Sequence, residues 1–224
     1  MSIDDTARRF ILPCIAPDDD DAPRRVTQFW VFLLVFIPWL LLYEGVVFRG
    51  PARGAFTTYL PGEVGWPVLQ WMEIFYVSPY VLVTLAPLLA PTNRILRRFA
   101  VAGLIAIALA NSMFLLIPAI APPRPFSPSG ILGQMMLLDR RLDLNNGSAA
   151  FPSFHVVWSF LAAAVFAKRW PRWRGAWWTW AALVAASCVF TGMHSLADVI
   201  AGFGLFLAIH NYPAIAAAFR EHRA

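Results

Sequence analysis

Charged side chains are scarce in this sequence. Asp, Glu, Lys and Arg make up only 14% of its 224 residues, whereas 59% are hydrophobic. Soluble domains carry charge on about a quarter of their residues, so this composition excludes an ordinary soluble protein. Nearly uncharged runs long enough to cross about 30 Å of hydrocarbon recur along most of the chain. We therefore expect a single domain embedded in a membrane.

Polar–apolar alternation is also lacking in these runs. A transmembrane β-barrel requires that alternation, and lipid offers no partner to unpaired backbone groups, so α-helices are expected. We predict an all-α fold, a polytopic bundle of six transmembrane helices. The fourth span is short, and we expect its polar start either to lie below the outer surface of the membrane or to be shielded by neighbouring helices. The predicted spans cover residues 28–48, 67–90, 99–120, 153–168, 175–192 and 194–212.

The sequence also shows no recognisable signal-peptide cleavage site and has only two cysteines. The first apolar run begins near Gln28 and no small-residue cleavage site follows it, so we expect it to be retained as the first span. Cys14 falls in a cytoplasmic tail and Cys188 inside the fifth span, so we expect no disulfide between them. The N-terminal tail is expected either to lie along the membrane surface as an amphipathic segment or to be disordered. The predicted organisation is a cytoplasmic tail at 1–27, a membrane domain at 28–212 and a cytoplasmic tail at 213–224.

Lys and Arg are unevenly distributed between the two sides of the predicted membrane. With the N-terminus inside, thirteen of the 18 lie in cytoplasmic segments and five in external ones. This bias follows the positive-inside rule and places both termini in the cytoplasm. The topology and anionic lipid account for the net charge of +5, so we predict no nucleic acid partner. The external cations are Arg49, Arg53, Arg124, Arg140 and Arg141.

Three polar clusters fall at the predicted external ends of spans. "PPRP" at 122–125 follows the third span, "PSFH" at 152–155 begins the fourth, and "TGMHSLAD" at 191–198 begins the sixth. An external loop at 121–152 joins the first two clusters, and loops of that length in compact domains often close over a site. We therefore predict a functional site at the external face, toward the periplasm, the exterior or a lumen.

His194 and Asp198 are four residues apart. If the sixth span is helical from His194 onward, the two side chains share one face and form a hydrogen bond. A carboxylate in that position fixes the imidazole tautomer, as an activated histidine nucleophile requires. His155 on the neighbouring span is placed to protonate a leaving oxygen. Arg124 and the Ser153 hydroxyl are suited to hold phosphate oxygens.

Each of these residues also has an ordinary structural explanation. A histidine at a membrane interface is often only half solvated, and Arg124 is also suited to anchor a helix end beside prolines. Asp198 differs, because a carboxylate inside a span is costly and usually functional or paired. A zinc site of His155, His194 and Asp198 is a further alternative, but tight metal motifs such as HExxH are absent from the sequence. We predict no metal and no cofactor.

A membrane protein without catalytic activity, such as a transporter or a lipid-binding scaffold, would also be helical and basic on the inside. Such a protein would not need a histidine–carboxylate pair that faces a second histidine. No pair of spans shows the inverted duplication typical of transporters. The sequence therefore favours an enzyme.

The three clusters resemble the signature motifs of the type 2 phosphatidic acid phosphatase superfamily. They occur in the family's order and spacing, and "TGMHSLADVIAG" at 191–202 extends the third. The resemblance implies a membrane enzyme that removes or transfers a lipid phosphate group without a metal. It implies that His194 forms a phosphohistidine, that Asp198 orients it and that His155 is the acid. Arg124 and Ser153 would then bind the phosphate.

Two cations of the family pattern are missing. The first motif usually has a lysine where this chain has Ile117, and the third usually has an arginine where it has Cys188. Phe154 stands where glycine is common. In these respects the chain is similar to inositol phosphorylceramide and sphingomyelin synthases, which move a phospho-headgroup between lipids.

The missing cations favour a substrate with less negative charge. A phosphomonoester carries nearly two negative charges at neutral pH and a phosphodiester one, so we expect transfer from a phospholipid diester to a lipid alcohol. Arg140 and Arg141 of the external loop are candidate phosphate ligands that would restore the lost charge. Hydrolysis of a lipid phosphate such as phosphatidate or a prenyl phosphate, with water as acceptor, is therefore the alternative.

Two further carboxylates fall within predicted spans. Glu73 lies in the middle of the second, and we expect it to form a structural hydrogen bond with a neighbouring helix, away from the external site. Glu44 lies near the external end of the first. It is expected either to pair with Arg49 or to reach a substrate headgroup.

Overall fold

The structure is a computed structural model that describes residues 16–144 and 146–221, with only the backbone described for 213–221. Its seven α-helices confirm the all-α prediction. The predicted surface segment in the N-terminal tail lies largely outside the described residues. The helices are α1 Arg25–Arg49, α2 Glu73–Leu89, α3 Asn93–Leu116, α4 Gly130–Leu142, α5 Phe154–Arg169, α6 Arg174–Phe190 and α7 Leu196–Glu221.

Short elements connect these helices at the predicted external face. Two-residue strands, β1 at Phe56–Thr57 and β2 at Ala119–Ile120, pair in parallel. They join the segment after α1 to the segment after α3. Single 3-10 turns cover Glu63–Gly65 and Gln70–Met72, and a third at Pro171–Trp173 joins α5 to α6 on the predicted cytoplasmic side.

Among the described residues, three helices are long and apolar enough to cross a membrane. They are Arg25–Arg49, Gln70–Leu89 and Asn93–Leu116, and a shorter apolar helix covers Leu196–Tyr212. The chain is thus an integral multi-pass membrane protein. The fourth and fifth predicted spans correspond to α5 and α6, which have only 16 and 17 residues. The count of six spans therefore stays a prediction.

The short helix α5 lies at the centre of the bundle and packs against α2, α3, α6 and α7. Most of its residues are buried, and Ser153, which precedes it, is fully buried. A helix of this length extends about 24 Å, less than the roughly 30 Å hydrocarbon layer. The neighbouring helices therefore shield the polar residues at the start of α5, which is one of the two arrangements predicted for the fourth span.

The external loop contains a helix, α4, that the sequence analysis did not predict. Its inner face buries Met136, Asp139 and Arg140 against the bundle. Its other face exposes large apolar side chains, including Ile131 and Leu142. This two-faced arrangement is typical of a helix that lies at a lipid surface.

The orientation of the bundle is testable by chemical labelling. Ser127 and Arg172 are both exposed, and the positive-inside rule places them on opposite sides of the membrane. We expect a membrane-impermeant thiol reagent to label Ser127→Cys in intact cells, and Arg172→Cys only after permeabilisation. A Cys14→Ser background is suitable because Cys188 is fully buried. Labelling in the reverse order would place the site in the cytoplasm.

Candidate active site

The N-terminal ends of α5 and α7 bring the predicted catalytic residues together. The ring centroids of His155 and His194 lie 5.8 Å apart, with the rings roughly perpendicular. His194 Nδ1 lies 3.7 Å from Asp198 Oδ2, and both side chains are buried. The predicted hydrogen bond between them is not formed, because His194 Nδ1 has no hydrogen-bond partner among the described residues. Both imidazoles are thus within reach of one phosphoryl group, with the Asp198 carboxylate behind His194.

The pairing of His194 with Asp198 arises differently from the prediction. Helix α7 begins at Leu196, so His194 precedes the helix and the expected shared helical face does not exist. Ser195 Oγ instead accepts from the Asp198 backbone N–H at 3.1 Å, and Asp198 Oδ2 accepts from the Ser195 N–H at 2.8 Å. This reciprocal arrangement is a capping box. It holds the carboxylate beside His194 at the start of the helix.

His155 is held in place by aromatic side chains of α2. The Tyr76 ring stacks on it with centroids 4.1 Å apart, and Tyr80 meets it edge-on at 5.6 Å. His155 Nε2 has no hydrogen-bond partner among the described residues. The ring is therefore fixed in orientation while one nitrogen stays available for proton transfer.

Ser153 joins α5 to α7 through its backbone. Its N–H donates to the Asp198 carbonyl at 3.0 Å. A Cβ at Gly202 would lie 2.6 Å from the Ser153 carbonyl oxygen, so only glycine permits this approach of α7. The Ser153 hydroxyl is fully buried and lies 3.7 Å from Cys188 Sγ.

Arg124 is placed close to the third motif, but its donors already have partners. One terminal nitrogen, Nη1, donates to the carbonyls of Glu63 and Trp66, and Nη2 donates to the carbonyl of Val189. Gly192 has a positive φ and lies directly against the Arg124 side chain, where a Cβ would be 3.0 Å from Arg124 Cβ. Only Nε of this buried guanidinium lacks a partner among the described residues.

The two arginines of the external loop occupy different environments. Arg140 is buried and donates to the Arg124 carbonyl at 2.7 Å and to the Thr191 carbonyl at 2.9 Å. Its guanidinium lies over the Phe126 ring, 4.4 Å from the centroid. Arg141 is exposed. The structure thus brings Arg140, but not Arg141, to the motifs.

Glu63 is a residue of the site region that the sequence analysis missed. It is almost fully buried in a turn after α1. Its Oε1 accepts from the Leu196 N–H at 2.6 Å, and its Oε2 accepts from the Leu60 N–H at 2.9 Å. The Glu63 carboxylate therefore caps α7, although Glu63 and Leu196 are 133 positions apart in the sequence. No local sequence pattern predicts such a contact.

Glu73 lies nearer to the site than predicted. It is the first residue of α2, at the end of the helix that carries Tyr76, and is close enough to Asp139 and Arg140 to feel their charges. Neither carboxylate oxygen has a hydrogen-bond partner among the described residues. The predicted structural hydrogen bond and the predicted distance from the site are both wrong.

Further carboxylates surround the histidine pair. Tyr43 donates to Asp143 Oδ1 at 3.0 Å, and Tyr80 donates to Asp139 Oδ1 at 3.3 Å. Burial and the neighbouring Asp143 charge raise the pKa of Asp139 to about 7. Burial also raises the pKa of Asp143. The surroundings of the histidines are therefore rich in groups that disfavour further negative charge.

Metal ligation was tested on the same geometry. Within residues 16–144 and 146–221, no three His, Cys, Asp or Glu side chains form a group suited to hold a metal ion. The zinc alternative therefore gains no support from the arrangement of His155, His194 and Asp198.

The sequence of the chain matches one protein family. A sequence model of the PAP2 superfamily matches residues 63–212, more than half of the chain. The chain belongs to the PAP2 superfamily, which confirms the resemblance at the level of the superfamily. Its members are typically metal-independent phosphatases with a histidine nucleophile, and membership indicates a membrane enzyme of the lipid phosphatase or phosphotransferase type. Comparison with curated proteins and comparison with solved structures each gave no match.

The contacts of Glu63 predict a measurable contribution to stability. Glu63→Ala removes two hydrogen bonds to a charged acceptor and uncaps α7, so we expect the free energy of unfolding in mixed micelles to fall by about 2–3 kcal/mol. The exposed Asp20 provides a matched control, and Asp20→Ala should change it by less than about 0.5 kcal/mol. Equal effects of the two substitutions would contradict the capping role.

Proposed function

We propose that the protein is a lipid phosphotransferase that moves a phospho-headgroup from a phospholipid diester to a lipid alcohol, with its site at the external face of the membrane. The proposed intermediate is a phosphohistidine at His194. The observation that carries this proposal is the electrostatic setting of His155 and His194. Both arginines near the pair donate to backbone carbonyls, while several buried carboxylates lie around it.

In the first step, His194 Nε2 attacks the phosphorus atom of the diester. Nδ1 faces Asp198, which stabilises the positive charge that develops on the ring. The bond between phosphorus and the lipid alkoxide oxygen breaks as the new P–N bond forms. A protonated His155 gives its proton to the departing oxygen, so the lipid leaves as a neutral alcohol.

In the second step, the neutral His155 takes a proton from the hydroxyl of the acceptor. The acceptor oxygen attacks phosphorus, the P–N bond breaks and its electron pair returns to His194. Both histidines regain their starting protonation states. The leaving and the accepting alcohol must occupy the same position beside His155, since the second step reverses the first.

The charges around the pair favour a diester over a monoester. Of the five N–H groups of each guanidinium, Arg124 already donates three and Arg140 two to backbone carbonyls. The buried Asp198 carboxylate brings negative charge to the same region, 3.7 Å from His194 Nδ1. A substrate with a single negative charge is easier to accommodate there than one with nearly two, because like charges repel each other more strongly where water is excluded. This supports the branch of the superfamily similar to inositol phosphorylceramide and sphingomyelin synthases.

Hydrolysis of a lipid phosphate is the second candidate, and one observation favours it. A narrow cavity of about 20 Å³ lies beside His194 and is lined by Tyr43, Asp143 and Ser148 among others. A space of that size holds about one water molecule. A water at this position competes with an alcohol for the phosphohistidine.

The proposed roles of the histidines predict graded losses of activity. His194→Ala should reduce turnover of a labelled phospholipid to below about 1% of wild type and remove the acid-labile phosphoenzyme, because water cannot replace the nucleophile. Asp198→Asn should lose less, since the amide oxygen keeps the helix cap. His210, exposed on the same helix, is the control, and His210→Ala should match wild type. Equal losses in the His194 and Asp198 variants would refute this division of roles.

Transfer and hydrolysis are separated by the fate of the label. With a headgroup-labelled phospholipid, we expect the purified protein to form labelled product lipid only when a lipid alcohol is added, and to release little free headgroup phosphate. The ratio of kcat/KM for the diester to that for a lipid phosphomonoester should exceed one. A wild-type protein that hydrolyses the monoester efficiently and ignores diesters would establish the phosphatase instead.

A further inference from the structure

Helix α4 presents a stripe of large apolar side chains away from the bundle. Ile131, Met135, Leu138 and Leu142 are 77%, 39%, 58% and 69% exposed. Their spacing of four, three and four residues places them on one face of the helix, opposite the face that is buried against the bundle. We call these four residues the α4 stripe. Continuous apolar surface of this kind is rare where a protein faces water, so the α4 stripe calls for a partner that covers it.

The C-terminal half of α4 contacts the membrane-spanning helices α1 and α2 below their ends. Tyr43 of α1 donates to Asp143 Oδ1 at 3.0 Å, and Tyr80 of α2 donates to Asp139 Oδ1 at 3.3 Å. Tyr43 precedes Arg49, the last residue of α1, by six residues, or about 9 Å along the helix. Tyr80 follows the first residue of α2 by seven residues, or about 10 Å. Helix α4 therefore does not lie on top of the bundle but sinks beside it.

The α4 stripe adjoins the apolar surface of α1. Helix α1 is long and apolar enough to cross a membrane, and only five of its 25 residues are buried. Phe48 of α1, which is 74% exposed, and Leu142 line one large cavity of about 590 Å³ between α1, α2, α4 and α5. The unburied side of a spanning helix faces acyl chains in a bilayer. The continuity of the two apolar surfaces indicates lipid as the partner of the α4 stripe.

A polar flank runs along one side of the α4 stripe. Gln134 and Arg141 are exposed and seven residues apart, so they lie on the same side of the helix. An arginine at such an edge rests its stem on apolar surface while its guanidinium reaches the layer of phosphate headgroups. Arg49, exposed at the end of α1, has a similar setting. Its expected ion pair with Glu44 is not present in the described part of the chain, which leaves the contact of Glu44 with a substrate as the alternative.

We propose that α4 is embedded in the membrane leaflet on the side of the proposed site, with the α4 stripe against phospholipid acyl chains and Arg141 against headgroup phosphates. The inference concerns the surface of the protein and holds for transfer and hydrolysis alike. The buried face of α4 carries Arg140, which donates to the Arg124 and Thr191 carbonyls. The bilayer thus holds in place a helix that contacts the first and third motifs.

Site-directed spin labelling tests the position of the α4 stripe. The full chain with Cys14→Ser is reconstituted in phosphatidylcholine nanodiscs and labelled at one introduced cysteine at a time, since Cys188 is fully buried. Leu41→Cys, on the exposed surface of α1, is the lipid reference, and Ser127→Cys, before α4, is the water reference. The test variants are Ile131→Cys, Met135→Cys, Leu138→Cys and Leu142→Cys.

The collision rates of the labels with oxygen and with a water-soluble nickel chelate distinguish the two environments. Oxygen dissolves readily in hydrocarbon, whereas the polar chelate stays in water. We expect the ratio of oxygen to nickel collisions at all four test sites to equal that at Leu41 and to exceed that at Ser127 several-fold. All six positions are exposed, so their substitution should change stability by less than about 0.5 kcal/mol.

The headgroup contact of Arg141 has a test of its own. Arg141→Glu places a carboxylate near the phosphates, and like charges repel, so this end of α4 should shift toward water. We expect the collision ratio of the label at Leu142→Cys to fall several-fold. Arg53→Glu, which changes an exposed cation outside the helices, is the matched control and should leave the ratio unchanged.

Two results would overturn the inference. Ratios at the test sites that match Ser127 would place α4 in water, and low collision rates with both reagents would show that protein, such as a second copy of the chain, covers the α4 stripe. An unchanged ratio in Arg141→Glu would refute the headgroup contact. None of these measurements needs substrate or turnover, so their outcome is independent of the proposed reaction.

Discussion

The buried carboxylate of Asp198 is the interaction on which the geometry of the site depends. Its Oδ2 accepts from the Ser195 N–H, which starts α7, and lies 3.7 Å from His194 Nδ1. Its backbone carbonyl accepts from the Ser153 N–H, at the start of α5. A buried carboxylate is costly unless it is hydrogen-bonded, so the start of α7, the second motif and the imidazole are formed together. The third motif thus positions the proposed nucleophile, and it also links the start of α5 to the start of α7.

The arginines show how the same residue type serves structure and electrostatics at once. Arg124 donates hydrogen bonds both to the turn at Glu63 and to the end of α6. Arg140 connects α4 to the first and third motifs by donating to the Arg124 and Thr191 carbonyls. These bonds connect the segment after α3 and helix α4 to the turn at Glu63 and to the end of α6. They also occupy five of the ten N–H donors of the two guanidinium groups. Ile117 and Cys188 stand where the resemblance implies two further cations. The proposed preference for a less charged substrate rests on these two missing cations.

Local patterns in the sequence predicted the helical segments and the convergence of three motifs, because long apolar runs and proline-bounded polar clusters are local signals. The prediction that His194 and Asp198 share a helical face was wrong, although the sequence pattern of a capping box that begins at Ser195 could have been recognised. Helix α4 was missed because only part of one face is buried and Arg and Asp lie on that face. The cap supplied by Glu63 and the position of Glu73 depend on how distant segments pack, which one sequence does not show. The number of spans and the orientation also lie beyond what helix lengths decide.

The length of α5 connects the fold to the choice between transfer and hydrolysis. At about 24 Å this central helix is shorter than the hydrocarbon layer, so its first residues need not lie at the membrane surface. His155 can then meet a lipid through the large cavity between α1 and α2, whereas His194 borders the narrow one. Tyr43 and Asp143, joined by a hydrogen bond of 3.0 Å, line both cavities and so lie between the two approaches. An alcohol with a long chain has ample room on one side, while the other side has space for about one water molecule. In the proposed reaction, the relative filling of these two cavities determines which hydroxyl reaches the phosphohistidine first.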